Sequence, residues 1–476
     1  MEYEVVIGLE VHSELLTKTK IYCSCSNDFG AEQNTNCCPV CLGLPGALPV
    51  LNKKVVEYAV KAGLALNCTI NKRTHMARKN YFYPDCPKNY QITQDETPLC
   101  TDGFIDIEAS TGGKRIGIER IHIEEDAGKC LHRDEASYVD FNRAGVPLIE
   151  IVSRPDMRSP EEARLYLEKL KSILQYTEVS DCKMEEGSLR CDANVSIRPV
   201  GSTEFGVKTE VKNMNSFKAV EKALEYEIKR QIKAAQSGER IVQETRRWDE
   251  ATETTIVMRS KEEAHDYRYF PEPDMVYLQL EDEYIQGIKN SLPELPHDKR
   301  ARYINNMGLP EYDAEMLTSS KAMAAFFEKC VELGGKPKDI SNWMMGEVMR
   351  TLKEQETEID SVKFTPAHLV ELTELVEKGT ISGTIAKKVF KEMFETGHKP
   401  EQIVKDKGLV QVTDEGAIRQ VVVDVLAANP QSVEDFRNGK TKAMGFVIGQ
   451  VMKASRGKAN PQMVNKLVAE ELEKLK

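Results

Sequence analysis

No apolar run in the 476 residues approaches the ~18 that a membrane-spanning helix needs. The chain starts Met1-Glu-Tyr-Glu4, acidic where a secretory leader would be basic, so no membrane partner is expected and the cytoplasm is the expected location. Positive charge is in deficit: 65 Lys and Arg against 76 Asp and Glu leave a formal net charge of −11. That excludes a whole-surface nucleic-acid binder, but not a local basic patch. Several catalytic signatures are missing too. There is no Gly-x-x-x-x-Gly-Lys-Ser/Thr phosphate loop, no Gly-x-Gly-x-x-Gly after a strand and no Gly-x-Ser-x-Gly elbow. His-Glu-x-x-His is also absent, which argues against an autonomous zinc hydrolase. No internal repeat or low-complexity stretch is present.

What is there has the texture of a globular protein, 41% apolar and 30% charged. The length is too great for one core and implies about two to four domains. Of 12 cysteines, five fall between Cys23 and Cys41. In a cytosolic chain such a cluster reads as metal-binding before disulfides. Cys38 and Cys41 form a Cys-x-x-Cys knuckle, a usual half of a tetrahedral zinc site, and Cys23 and Cys25 can supply the other half. Cys37 is left over. Four thiolate ligands close a structural site that pins its loop.

The most informative stretch is Glu119 to Asp156. Its runs Ile121-His-Ile-Glu-Glu-Asp126 and Val146-Pro-Leu-Ile-Glu-Ile-Val152 read as strands. Side chains alternate between faces, so Glu125 shares a side with Ile121 and Ile123, and Glu150 one with Leu148 and Val152. A bare carboxylate among apolar neighbours is costly unless paired or metal-bound, which suggests an ion or phosphate site. Tyr3 to Leu15 reads as another strand, on which Glu10 and His12 share a face. Their weight rises if they meet Glu125 and Glu150 in space.

Elsewhere, Phe104–Ile107, Lys114–Ile123 and Tyr138–Phe141 read as strands of the same sheet. Arg190 to Arg198 alternates with its polar side chains on one face, as a strand flooring a cleft does. Helices are expected at Val55–Leu66, Ser159–Leu174 and Phe217–Ala235. The segment Arg78-Lys-Asn-Tyr-Phe-Tyr-Pro-Asp-Cys-Pro-Lys88 mixes cations and aromatics: either a plain surface loop or a lining that touches a charged or transported species. Beyond Leu295 helical spacing takes over, including Asp339–Leu352, Pro366–Lys378 and Ala417–Ala428. From Val433 onward Lys440, Lys442, Lys453, Arg456, Lys458 and Lys466 make a basic tail, either a solvated face or a nucleic-acid contact.

Taken in order, the phrases Ile7-Gly-Leu-Glu-Val-His12, Cys38-Pro-Val-Cys-Leu-Gly-Leu-Pro-Gly46, Arg120-Ile-His-Ile-Glu-Glu-Asp-Ala-Gly128, Asn142-Arg-Ala-Gly-Val-Pro-Leu-Ile-Glu150, Arg190-Cys-Asp-Ala-Asn-Val-Ser196 and Arg268-Tyr-Phe-Pro-Glu-Pro-Asp274 form a pattern. It resembles the B subunit of the tRNA-dependent amidotransferases that transamidate Glu-tRNA(Gln) and Asp-tRNA(Asn). The resemblance spans the chain and implies an α+β protein: a mixed-sheet cradle domain (1–294), an all-helical domain (295–405) and a helical tRNA-binding tail (406–476). It further implies a heterotrimer with an amidase A subunit and a small C subunit. The side-chain carboxylate of the mischarged tRNA would be phosphorylated with ATP, then amidated by ammonia delivered through a tunnel. Such phosphoryl transfer needs positioning and charge neutralisation more than covalent help, and Mg²⁺ with oxygen ligands suits a carboxylate-rich site lacking a phosphate loop. By resemblance Glu10, His12, Glu125 and Glu150 match the Mg²⁺ positions, with Asp192 and Glu210 as weaker candidates for a second ion or ATP. Lys79 and Lys88 match the tunnel, where desolvation can lower a lysine pKa, and Glu125 matches its exit. The rival reading is a non-catalytic tRNA-binding and assembly subunit of the same complex.

Overall fold

The protein is described from a computed structural model covering residues 2–133, 135–260, 266–410, 414–437, 442–455 and 459–475. It divides into two compact units, Met1–Pro296 and His297–Lys476. In chain order the first unit holds β1 (Tyr3–Glu14), α1 (Lys53–Ala65), β2 (Thr69–Ile70), β3 (Arg73–Thr74), β4 (Ala77–Asn80), β5 (Tyr90–Thr93), β6 (Cys100–Ala109), β7 (Gly112–Glu125), β8 (Lys129–Arg133) and β9 (Ala136–Asp140). It continues with β10 (Pro147–Ser153), α2 (Pro160–Tyr176), β11 (Leu189–Pro199), β12 (Thr209–Lys212), α3 (Phe217–Ser237), β13 (Glu244–Asp249), β14 (Thr254–Ser260), β15 (Phe270–Pro271), β16 (Leu278–Gln279) and α4 (Asp282–Asn290).

Nine strands form one mixed sheet in the order β14-β13-β12-β11-β1-β10-β7-β6-β2, antiparallel except where β12 runs parallel to β13. Period-two alternation decides its faces. On one face Val11, Ile151 and Ile121 lie side by side across β1, β10 and β7. With Leu9, Ile123, Ile149, Ala193 and Val195 they are 0–1% exposed and share one core with α1, α2 and α3. Those helices start at Asn52, Ser159 and Ser216, whose side chains accept from backbone N–H groups of the first turn. Gly238, at φ +75°, ends α3 in the left-handed conformation that glycine adopts without penalty. The opposite face carries the charge.

One expected strand stands elsewhere. Tyr138 lies on β9, which pairs with β8 in a separate two-stranded ribbon. Ala136, Ser137 and Tyr138 are all exposed, so nothing ties that alternation to the buried sheet.

The second unit is helical and holds two separate cores. One gathers residues between Tyr303 and Val404. The other joins helices Glu415–Ala428, Lys442–Ala454 and Pro461–Lys474 through Ile418, Val422, Val447, Val464 and Leu467. The expected helix Asp339–Leu352 contains a wide π turn at Met344–Val348 between α-helical Pro337–Trp343 and Met349–Glu354. Met344 and Val348 are both fully buried. Of the basic tail, Lys440, Arg456 and Lys458 lie outside the described residues, while Lys453 sits in the last turn of its helix.

Candidate functional site

The charged face of the sheet is built by register. Glu150 on β10 lies opposite His12 of β1 and His122 of β7, and Glu10 lies opposite Asp192 of β11. The imidazole Nε2 of His12 is 3.3 Å from Glu124 and 3.9 Å from Glu150, and that of His122 is 2.9 Å from Glu150. Among the described residues, His12, Glu124 and Glu150 are the carboxylate–imidazole set whose ligand atoms all lie within 4.8 Å of one another. Burial pushes the Glu150 carboxyl up, but His122, His12 and Lys79 outweigh it and hold the group well below the usual carboxylate range. It is therefore an anion beside the buried carboxyl group of Glu124, where a cation held between the two would be favourable.

Glu10 adjoins this cluster. Burial, then the charges of Glu150, Glu210 and Asp192, raise its pKa, and Asn194 donates to its carboxylate at 2.9 Å. Asp192 and Glu210 converge on one ammonium, Lys212, at 2.5 and 3.1 Å. Thr245 also donates to Glu210 at 2.7 Å. Arg190 and Asp126, joined at 2.8 Å, line with His12, Glu124, Asp192 and Lys212 a cavity of about 420 Å³. Glu10 itself lines a second cavity, of about 340 Å³, together with Arg120, Asn194, Ser196, Phe205 and Lys208.

Glu125 does not join His12 and Glu150. Its parity turns it to the opposite face at the end of β7, where Lys88 reaches it at 2.7 Å and the Ile92 N–H donates to it at 2.9 Å. Lys88 and Glu125 line both the 420 Å³ cavity and a smaller one of about 220 Å³ bounded by Lys20, Tyr22, Cys23 and Cys41. The pair therefore stands between two spaces. The expected lowering of the lysine pKa values is reversed. Desolvation does push both down, but Glu125 more than offsets it at Lys88, and Tyr269, Glu124, Tyr267 and Glu150 do so at Lys79. The Lys79 ammonium also sits 4.6 Å from the Tyr267 ring centre, a favourable cation–π distance.

The four thiols Cys23, Cys25, Cys38 and Cys41 come within 4.8 Å of one another. Cys38 and Cys41 place their sulfurs 3.9 Å apart, against about 3.8 Å for two ligands of a tetrahedron with 2.3 Å metal–sulfur bonds. The Cys38 N–H donates to the Cys41 sulfur at 3.1 Å. The set fits a structural metal. Cys37 stands outside it, its thiol 3.9 Å from the side-chain amide oxygen (Oδ1) of Asn142.

Glu124 and His122 are the residues that sequence reasoning passed over. Strand parity already put them on the side opposite Ile121 and Ile123. What was missing was the cross-strand register that sets them against Glu150 and His12.

Comparison with known proteins agrees with this architecture. Residues 5–286 match the GatB/GatE catalytic domain and residues 325–472 match the GatB domain. The chain is 64% identical over 475 residues to the B subunit of the aspartyl/glutamyl-tRNA(Asn/Gln) amidotransferase of Thermoanaerobacter pseudethanolicus, covering 100% of both chains. It is 62% identical over 476 residues to that of Clostridium tetani and 60% to that of Clostridium botulinum, again covering 100% of each chain. A sheet with a carboxylate–histidine face, a four-cysteine loop and a helical C-terminal unit thus belong to a sequence that matches these enzymes along its whole length, and the chain is a member of the family of tRNA-dependent amidotransferase B subunits.

Proposed function

We propose that this chain activates the side-chain carboxylate of Glu-tRNA(Gln) and/or Asp-tRNA(Asn) with ATP and amidates it with ammonia from a glutaminase partner. The observation that carries the reading is the His12–Glu124–Glu150 cluster, half-buried on the charged face of the sheet with Glu124 buried, which a purely assembling subunit has no use for. These residues would hold Mg²⁺, with Glu10 beside them. The two carboxylates offer hard oxygen ligands and His12 can orient a water. Such an ion supplies charge neutralisation for phosphoryl transfer.

The chain's own groups divide the remaining work. Arg120, Lys208 and Ser196 give the 340 Å³ cavity cations and a hydroxyl suited to a nucleotide. Lys212 holds Asp192 and Glu210 on the rim of the same sheet face, where they can meet a second ion or the nucleotide. Arg190 and Lys79 add positive charge around the 420 Å³ cavity, which suits an anionic substrate carboxylate. Ammonia would arrive past Lys88 and Glu125, from the side of the 220 Å³ cavity. Because their ion pair keeps Lys88 protonated, it serves as a polar gate and hydrogen-bond donor, not as a neutral base. An amidase A subunit and a small C subunit complete the complex. The basic tail, where Lys453 and Lys466 remain on described helices, contacts the tRNA body through phosphates.

The test is reconstitution with candidate A and C subunits, followed by amidation assays on both mischarged tRNAs. Amide formation that requires ATP is expected on at least one. Glutamine hydrolysis with no ATP-dependent amidation of either tRNA would overturn the reading.

A further inference from the structure

The aromatic residues of the segment between β4 and β5 have no place in the chemistry above. Tyr81 and Tyr267 line the 420 Å³ cavity together with His12, Lys79 and Glu124. From that lining two short aromatic rows lead outward. Tyr83 stacks on Tyr81, ring centres 6.0 Å apart and planes 28° apart. Tyr269 meets Tyr267 edge to face at 6.1 Å. The two segments are tied together by Asn80, whose side-chain amide donates to the carbonyls of Tyr267 and Arg268 at 3.1 and 2.8 Å.

These rings are held open. Tyr83 and Tyr269 are each 41% exposed and Phe82 is 68% exposed. Tyr83 is fixed in place by a 3.0 Å hydrogen bond between its hydroxyl and His132 Nε2, and His132 is fixed in turn by Ser137 at 2.8 Å. Arg268, at φ +46°, holds a left-handed conformation that a non-glycine side chain rarely adopts, between the two tyrosines of the second row. Solvent-facing rings interleaved with Lys79 and Arg268 are the makings of a stacking surface for unpaired bases, whose phosphates find the cations nearby.

We infer that Tyr83 and Tyr269 form a stacking platform for the unpaired 3′-terminal nucleotides of the acyl-tRNA, guiding the esterified amino acid to the carboxylate–histidine cluster. The inference rests on the proposal that this cavity receives acyl-tRNA. Continuity decides the occupant: the rows begin inside the cavity and end in solvent, the path that a 3′ end carrying its amino acid must follow. The 6.0 Å spacing of Tyr81 and Tyr83 is too close to admit a base between them, so a base extends the stack from the exposed Tyr83 ring.

The experiment uses the complete complex and a tRNA with 2-aminopurine in place of its terminal adenosine. Stacking quenches this fluorophore, so binding to the wild-type complex is expected to lower its emission. Tyr83→Leu with Tyr269→Leu should leave the emission unquenched and weaken binding roughly tenfold. Tyr83→Phe, which keeps the ring and loses only the hydroxyl, should restore the quench. Removing the 3′-terminal nucleotides should weaken wild-type binding but leave the double leucine variant nearly unaffected. A leucine variant that quenches and senses the 3′ end as wild type does would overturn the platform. So would one that sheds its partner subunits in gel filtration, since that assigns the rings to a protein interface. If the wild-type complex ignores tRNA altogether, the proposed substrate fails instead, and the two failures are told apart.

Discussion

Glu150 and Ile151 are adjacent in the chain and stand on opposite faces of one strand. Across the sheet, Ile151 lies against Val11 and Ile121 in a core that excludes water. Glu150 lies against His12 and His122 on a face whose polar side chains are held by ion pairs and hydrogen bonds from neighbouring strands. The apolar face is specified by shape and buried area, so an error there is felt as lost stability. The charged face is specified by electrostatics that no single strand contains, so an error there is felt as lost chemistry. Glu125 belongs by parity to the first face and by chemistry to neither; Lys88 and the Ile92 N–H make it tolerable.

The sharpest way to break this contrast is a pair of substitutions one residue apart. Glu150→Gln should lower ATP-dependent amidation by the reconstituted complex at least about a hundredfold, since it removes one of the two carboxylates proposed to hold the ion. Because His122, His12 and Lys79 favour the charged form of Glu150, neutralising it should also lower the unfolding free energy, by about 1.5–3 kcal/mol. Ile151→Ala should instead lose about 2–5 kcal/mol in denaturant titration while the protein that remains folded keeps most of its activity. If Glu150→Gln is fully active, the His12–Glu124–Glu150 cluster is not the phosphoryl-transfer site.

A second test addresses Glu125. Lys88→Met strands a carboxylate whose side chain is 4% exposed and should cost about 3–5 kcal/mol. Adding Glu125→Gln should recover most of that loss, because the amide can still accept from Ile92. A double-mutant cycle measures the coupling. A coupling near zero would mean that burial of the pair contributes nothing specific.

How much of this is legible in the sequence follows the same division. Alternation places β1, β7, β10 and β11 and puts Ile121 and Ile123 on a common side, because burying a sheet face writes period two into the sequence. Helices α1, α2 and α3 are readable from apolar spacing, and α2 also from the Ser159-Pro160 start. Glu124 and His122 do not stand out, since their partners come from β1 and β10 and pairing register is a tertiary property. Glu125 groups with Glu150 in the sequence because each stands among apolar residues on its own strand; the fold shows that the two sides face opposite ways. The direction of the lysine shifts is hidden for a related reason. Burial alone lowers an ammonium pKa, and the opposing carboxylates can be located only in space. By contrast, the four cysteines need little of the fold, since close pairs in a chain nearly state their own geometry.

The smallest expected effect concerns the loop those cysteines close. Cys23 and Cys41 border the 220 Å³ cavity on the side of Lys88 and Glu125 away from the charged face. Zinc loss should therefore disturb the approach to that pair and leave the His12–Glu124–Glu150 cluster in order. Elemental analysis of the purified complex should find one zinc per copy of this chain, and Cys38→Ser should lose it. Amidation driven by glutamine should then fall several-fold, while amidation driven by added ammonium salt falls less, because free ammonia can reach the charged face without the loop-bounded cavity. Equal losses from both nitrogen sources would show that the cysteine loop supports the whole sheet end rather than one passage. The separation between the two faces would then stop short of the end of β7.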